Sequence, residues 1–172
     1  MSQTAIESKR DAGSRRVAAW LIVCCALVFA MVVLGGATRL TRSGLSIVEW
    51  QPIVGTIPPL TTSDWEQLFG KYRQTPEYQK VNPGMDLEGF KGIFWLEYFH
   101  RLLGRLIGVA FFLPLLYFLW RRALAPPLAL KLGGIFPLGA AQGALGGGMG
   151  QSGLAGGPRG WHVRLRAHLA LA

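Results

Sequence analysis

Charge is scarce in this sequence: only 16% of its 172 residues are Asp, Glu, Lys or Arg. A soluble domain usually carries about 25%. With 51% hydrophobic residues and a mean hydropathy of +0.31, the deficit points to a membrane protein rather than a soluble domain. Acidic residues are scarcer still, 9 against 18 basic, which gives a net charge of +9. Such a balance can signal nucleic acid. Here the Lys and Arg residues flank apolar stretches, so the partner read from them is a lipid bilayer, with no nucleic acid. Cysteine is nearly absent. Cys24 and Cys25 are adjacent inside an apolar run. They cannot form an unstrained bridge and make no Cys-x-x-Cys metal pattern, so they read as small lipid- or core-facing residues.

What is present is a series of apolar runs. Residues 1–16 are polar and basic and read as a disordered cytoplasmic tail. Residues 17–37 carry no charge. As a helix they would extend about 31 Å, enough to cross the hydrocarbon core and too long for a cleaved signal peptide. Residues 38–91 form a long loop in which Pro52, Pro58, Pro59, Pro76 and Pro83 exclude one continuous helix. Short amphipathic pieces are expected around 63–72 and 86–90. A second span covers 92–120, with Pro114 as a potential kink, and a cytoplasmic turn covers 121–127. A third, glycine-rich span covers 128–150, weakened by Gly146, Gly147 and Gly148. A loop follows at 151–161, and 162–172 starts a fourth helix that is cut short. The expected fold is an all-α membrane protein, a transmembrane four-helix bundle truncated in its last helix. Basic residues in the tail and at Arg121, Arg122 and Lys131 place both segments in the cytoplasm. The long loop then faces the periplasm, as in a multi-pass inner-membrane protein.

Ionisable groups inside a span are costly and point to function. The second span holds Glu97, His100, Arg101 and Arg105. His100 shares a face with Gly104 and Gly108, and that flat surface suits a porphyrin with its iron over the imidazole. Arg101 and Arg105 could pair with haem propionates, because guanidinium matches carboxylate geometry. Against this, His100 could be an interhelical hydrogen-bonder and the arginines could snorkel to headgroups. His168 favours the haem site. It lies about as deep in the fourth helix as His100 lies in the second, each about 12 Å from the helix start. Two histidines at matching depth can clamp one iron from both faces. No methionine or cysteine stands near His100 in the sequence, which also favours a His/His pair. His162 reads as interfacial. Glu97 has three open readings: an ion pair with Arg101, an orienting bond to His100, or a catalytic role in handling a proton or stabilising a cation.

Two stretches carry a resemblance. LGGATRLTRSGLSIVEWQPIVGTIPPL and KYRQTPEYQKVNPGMDLEGFKGIFWLEYFHRLLGRLIG resemble the first two spans and intervening loop of haem A synthases of the alphaproteobacterial and mitochondrial type. The likeness covers roughly residues 17–145. It implies eight membrane helices in two four-helix repeats, each with a histidine pair on its second and fourth helices. It implies an oxidoreductase acting on CH groups, which converts haem O to haem A for cytochrome oxidase. Two successive hydroxylations turn one methyl group into a formyl group. By this resemblance Glu97 and His100 match a Glu-x-x-His in helix two, and His168 matches the histidine of helix four. The N-terminal repeat would take haem O as substrate, and a C-terminal repeat would hold haem b. Haem O synthase and an electron donor are the further partners implied.

Two departures stand out. The long loop lacks the cysteine pair of some members, and glycines replace aromatic residues at 147 and 148. The second repeat is not in the sequence, so the 172 residues alone are expected to have little or no synthase activity. The alternative reading is a bis-histidine b-type membrane cytochrome that only transfers electrons. A third is a non-catalytic assembly factor or haem-delivery scaffold.

Overall fold

The computed structural model describes residues 3–48, 56–155, 166–168 and 170. It contains five helices and no strand among the described residues: α1 (Gln3–Leu40), α2 (Thr62–Arg73), α3 (Pro76–Lys80), α4 (Leu87–Trp120) and α5 (Pro126–Ala155). Residues 166–168 and 170 are also helical. Three segments are long and apolar enough to cross a membrane: Gly13–Leu40, Leu87–Trp120 and Pro126–Gly147. The chain is an all-helical, multi-pass membrane protein. Helix α4 is central, with α1 and α5 packed against it, and α2 and α3 cover its first turns.

Helix boundaries differ from the sequence reading in three places. Helix α1 begins at Gln3, so most of the tail expected to be disordered is helical. Once a membrane helix exists, extending it needs no new nucleus, and residues 3–16 contain no proline to stop it. Helix α4 begins at Leu87 rather than 92, so the short piece expected at 86–90 is its first turn. Asp86 sets that start by accepting a 2.8 Å bond from the Gly89 N–H. Helix α5 runs through Gly146–Gly148 to Ala155 instead of ending at 150. Glycine costs a helix about 1 kcal/mol per residue. An unsatisfied backbone group in a bilayer costs several, so the helix persists. Residues 156–165, including His162 and most of the expected loop and fourth-helix start, lie outside the described residues.

Pro114 sits inside an unbroken α4. Lacking an N–H, it leaves the Ala110 carbonyl without its helical partner. The Trp20 indole of α1 donates to that oxygen at 2.8 Å, and the Cys24 thiol approaches it at 3.9 Å. Trp20 and Cys24 join Val17, Leu115, Phe118 and Leu132 in one buried cluster that ties the three spans together. Cys25 is exposed, so the adjacent cysteines take one role each. Ile22, Phe29 and Val32 on α1 and Leu130 on α5 are exposed, as lipid-facing residues should be.

The long loop folds onto α4 through aromatic packing. Thr61 and Asp64 form a capping box at the start of α2, and Thr75 caps α3, the short helix that the sequence reading did not anticipate. Tyr72 is fully buried and stacks on Phe90 with ring centroids 5.1 Å apart. Its hydroxyl accepts a 2.8 Å bond from the Asn82 amide. Phe94, Tyr98 and Trp65 complete the cluster. The Tyr98 hydroxyl donates to the Thr56 carbonyl at 2.6 Å, fixing the loop to α4 a second time.

Candidate functional site

Glu97 lies in the third turn of α4 and is buried. Its carboxylate is saturated. Oε2 accepts from the Ser46 hydroxyl at 2.7 Å and the Ile47 backbone N–H at 2.8 Å. Oε1 accepts from Nε and Nη2 of Arg101. A carboxylate offers about four lone-pair sites, and all four are used. Of the three readings open for Glu97, the geometry displays the ion pair with Arg101, enlarged by a link to the residues that follow α1. Arg101 also donates from Nη2 to the Ile47 carbonyl at 3.3 Å. Its Nε and Nη2 groups are therefore occupied within the protein. Arg105 is half-buried one turn further along.

His100 follows Glu97 on α4 and is half-buried. The edge of its ring rests on α1 at Gly35, where an added Cβ would stand 3.0 Å from Cε1 and 3.6 Å from Nδ1. His168 has the same kind of neighbour. A Cβ added to Gly146 of α5 would lie 3.3 Å from its Cε1 and 3.7 Å from its Nδ1. Gln142, one turn before Gly146, donates from its side-chain amide to the His168 carbonyl at 3.0 Å. The two imidazoles come from positions 68 residues apart and lie within electrostatic range of each other. Both Nδ1 atoms are buried without a hydrogen-bond partner among the described residues.

The glycine surface below His100 is only partly open. The methyl of Met31 on α1 lies 3.4 Å from where a Gly104 Cβ would be, while Gly108 faces open space. A methionine thus approaches within a turn of His100, although none is near it in the sequence. It arrives from another helix, which linear spacing does not show.

The chain matches the COX15-CtaA family, described as cytochrome oxidase assembly protein, over residues 18–172. It belongs to this family. It is 65% identical to a protein of Nitrosospira multiformis named heme A synthase, over 95% of this chain and 46% of that protein. It is 59% identical to the heme A synthase of Nitrosomonas eutropha, over 98% of this chain and 48% of the relative. A third relative of that name, from Paramagnetospirillum magneticum, is 58% identical over 92% of this chain and 45% of its own length. The chain therefore spans about half the length of the curated relatives it matches. No solved structure matches it.

Of the residues singled out from the sequence, the structure joins Glu97 to Arg101 and sets His100 and His168 each against a glycine. Gly35, Ser46 and Gln142 went unnoticed, and Gly146 was read only as a weak point of the third span. Gln142 had a usable signal, being the one polar side chain in residues 132–150. The others had none, because a glycine or serine acquires meaning only from what packs on it.

Proposed function

We propose that this chain forms the haem O-binding half of a haem A synthase of the bacterial inner membrane. In this reading His100 and His168 would be the residues that hold the haem iron. The observation that supports it is the shared setting of two half-buried imidazoles, one on α4 and one at residue 168, each edge-on to a glycine with its Nδ1 unpartnered among the described residues. Each ring presents its Cε1–Nδ1 edge to a glycine, and in this reading Nε2 would be the atom that reaches iron. The relatives are named heme A synthase, and the oxidation of a haem methyl group to a formyl group is what we propose under that name. They favour it over the electron-carrier reading of the same ligand pair.

The bound haem supplies redox chemistry at iron and the methyl group to be oxidised. The residues of the chain position and shield it. His100 and His168 would hold the haem from α4 and from residue 168. In this reading Arg101 and Arg105 would pair with the propionates, and the long loop would face the periplasm. Glu97 holds Arg101 in place. It can take up a proton or stabilise a developing cation only if one of its four bonds opens, so any catalytic role of Glu97 is coupled to movement at Ser46, Ile47 or Arg101. Haem b, haem O synthase and an electron donor are the further partners of this reading; each of the two successive hydroxylations would replace a C–H by a C–OH at the expense of an external two-electron oxidant, and loss of water from the resulting diol would give the formyl group.

The test is spectroscopic. Purified protein should give a pyridine-haemochrome signal and a low-spin ferric spectrum. His100→Ala and His168→Ala should each abolish the low-spin species. A low-spin spectrum that survives both substitutions would sink the proposal. A reporter fused into residues 38–91 should read as periplasmic.

A further inference from the structure

Gly35 and Gly146 lie on different helices and are far apart in the sequence, yet they do the same thing. Each is the surface on which the Cε1–Nδ1 edge of one imidazole rests. Neighbouring glycines do not share the feature, since a Cβ at Gly36 or at Gly143 would meet nothing within 4 Å. A histidine that binds metal commonly donates its remaining ring N–H to a fixed acceptor, which sets the plane of the ring. Here neither buried Nδ1 has such a partner among the described residues. Something else must hold the rings, and the contacts at Gly35 and Gly146 are what the structure offers.

We propose that Gly35 and Gly146 are positioning residues that set the planes of the two axial histidines by contact rather than by hydrogen bonding. The inference rests on the bis-histidine reading above. At 3.0 Å, a methyl group on residue 35 is closer than packed carbon atoms tolerate, so the His100 ring must turn or shift. At 3.3 Å, a methyl group on residue 146 asks a few tenths of an ångström of His168. The two sites therefore differ in degree. Ring rotation changes the angle between the imidazole planes, to which the ferric low-spin signal is sensitive. A ligand held by contact alone also has no acceptor to raise its basicity, which makes it easier to displace.

The experiment compares Gly35→Ala, Gly146→Ala, Gly36→Ala and Gly143→Ala in the haem-loaded, detergent-purified protein. Alanine favours a helix over glycine, so the backbone itself should not suffer. Low-temperature electron paramagnetic resonance reads the ligand planes, and haem transfer to apomyoglobin reads retention. Gly35→Ala should displace the low-spin g values and speed haem loss severalfold. Gly146→Ala should do the same to a smaller extent. The two controls should match the parent protein. Should Gly35→Ala fail to accumulate while Gly36→Ala does, Gly146→Ala carries the comparison. His100→Ala and His168→Ala separate the two levels of the argument. If they retain the low-spin signal, the ligand assignment falls. If they lose it while Gly35→Ala and Gly146→Ala keep the parent spectrum and retention, the glycine proposal alone is overturned.

Discussion

The indole N–H of Trp20 donates to the carbonyl oxygen of Ala110 at 2.8 Å, joining two spans at the point where Pro114 leaves that oxygen without a helical donor. In water such an oxygen could be solvated. In a bilayer it cannot, so the proline and the tryptophan form a matched pair. Trp20→Phe keeps an aromatic ring but removes the donor. Hydrogen bonds between membrane helices are worth about 0.6 kcal/mol on average and up to about 1.7, and the loss should fall in that range. Thermal unfolding in detergent measures it. Pro114→Ala restores the helical N–H and should reduce the cost of Trp20→Phe in the double variant.

Glu97 and Arg101 form a buried pair, with side-chain exposures of 3% and 18%. Removing one partner of such a pair costs about 3–5 kcal/mol, because the other charge stays behind. Arg101→Ala and Glu97→Ala should each destabilise by that order. Replacing both residues by leucine should be milder than either single change. Ser46→Ala removes one of four bonds and should cost about 1 kcal/mol. Denaturation of the purified variants distinguishes these outcomes. A double variant as damaged as the sum of the singles would show that the charges act independently.

Tyr72 anchors the loop helices by stacking on Phe90 and accepting from Asn82. Tyr72→Phe deletes only the hydroxyl and should cost about 1 kcal/mol. Tyr72→Ala empties a fully buried site and should cost about 3–5 kcal/mol, as aromatic truncations do. Hydrogen exchange should show the loss confined to α2, α3 and the first turns of α4.

Two acids in the loop respond to pH in opposite ways. Backbone and side-chain bonds from Thr61, joined by the Leu60 N–H, hold the Asp64 carboxyl below its ordinary value. Its contribution is present above the unfolded carboxylate pKa and fades as pH falls through the lower folded value. Burial pushes Glu77 up, with Arg42 opposing. Its contribution is full below the unfolded pKa and is lost as pH rises through the folded one. Acid should therefore fray the start of α2 while it steadies α3. Glu77→Gln should remove the loss on the alkaline side. Exchange protection across pH, corrected for intrinsic rates, checks both signs.

Much of the bundle was legible because a bilayer imposes a simple rule of length and polarity. The uncharged run at 17–37 and the arginine pair at 121–122 announce a span and a turn. The ends of the helices were less legible. Asp86 as a cap depends on one side-chain bond, and the glycines of α5 read as a weakness only by the standards of water. In the site, the Glu97–Arg101 pair follows from i, i+4 spacing. The link from Glu97 to Ser46 crosses 51 positions and leaves no periodic trace. Likewise Gly35 is one glycine among 23 until an imidazole is found against it.

The loop is fastened to α4 at residues 97, 98 and 101, and His100 stands among them on the same helical turn. Tension applied at Ser46, Ile47 or Thr56 thus acts as a torque on the stretch of backbone that carries the imidazole. A partner that grips the loop would hold a lever whose short arm ends at His100.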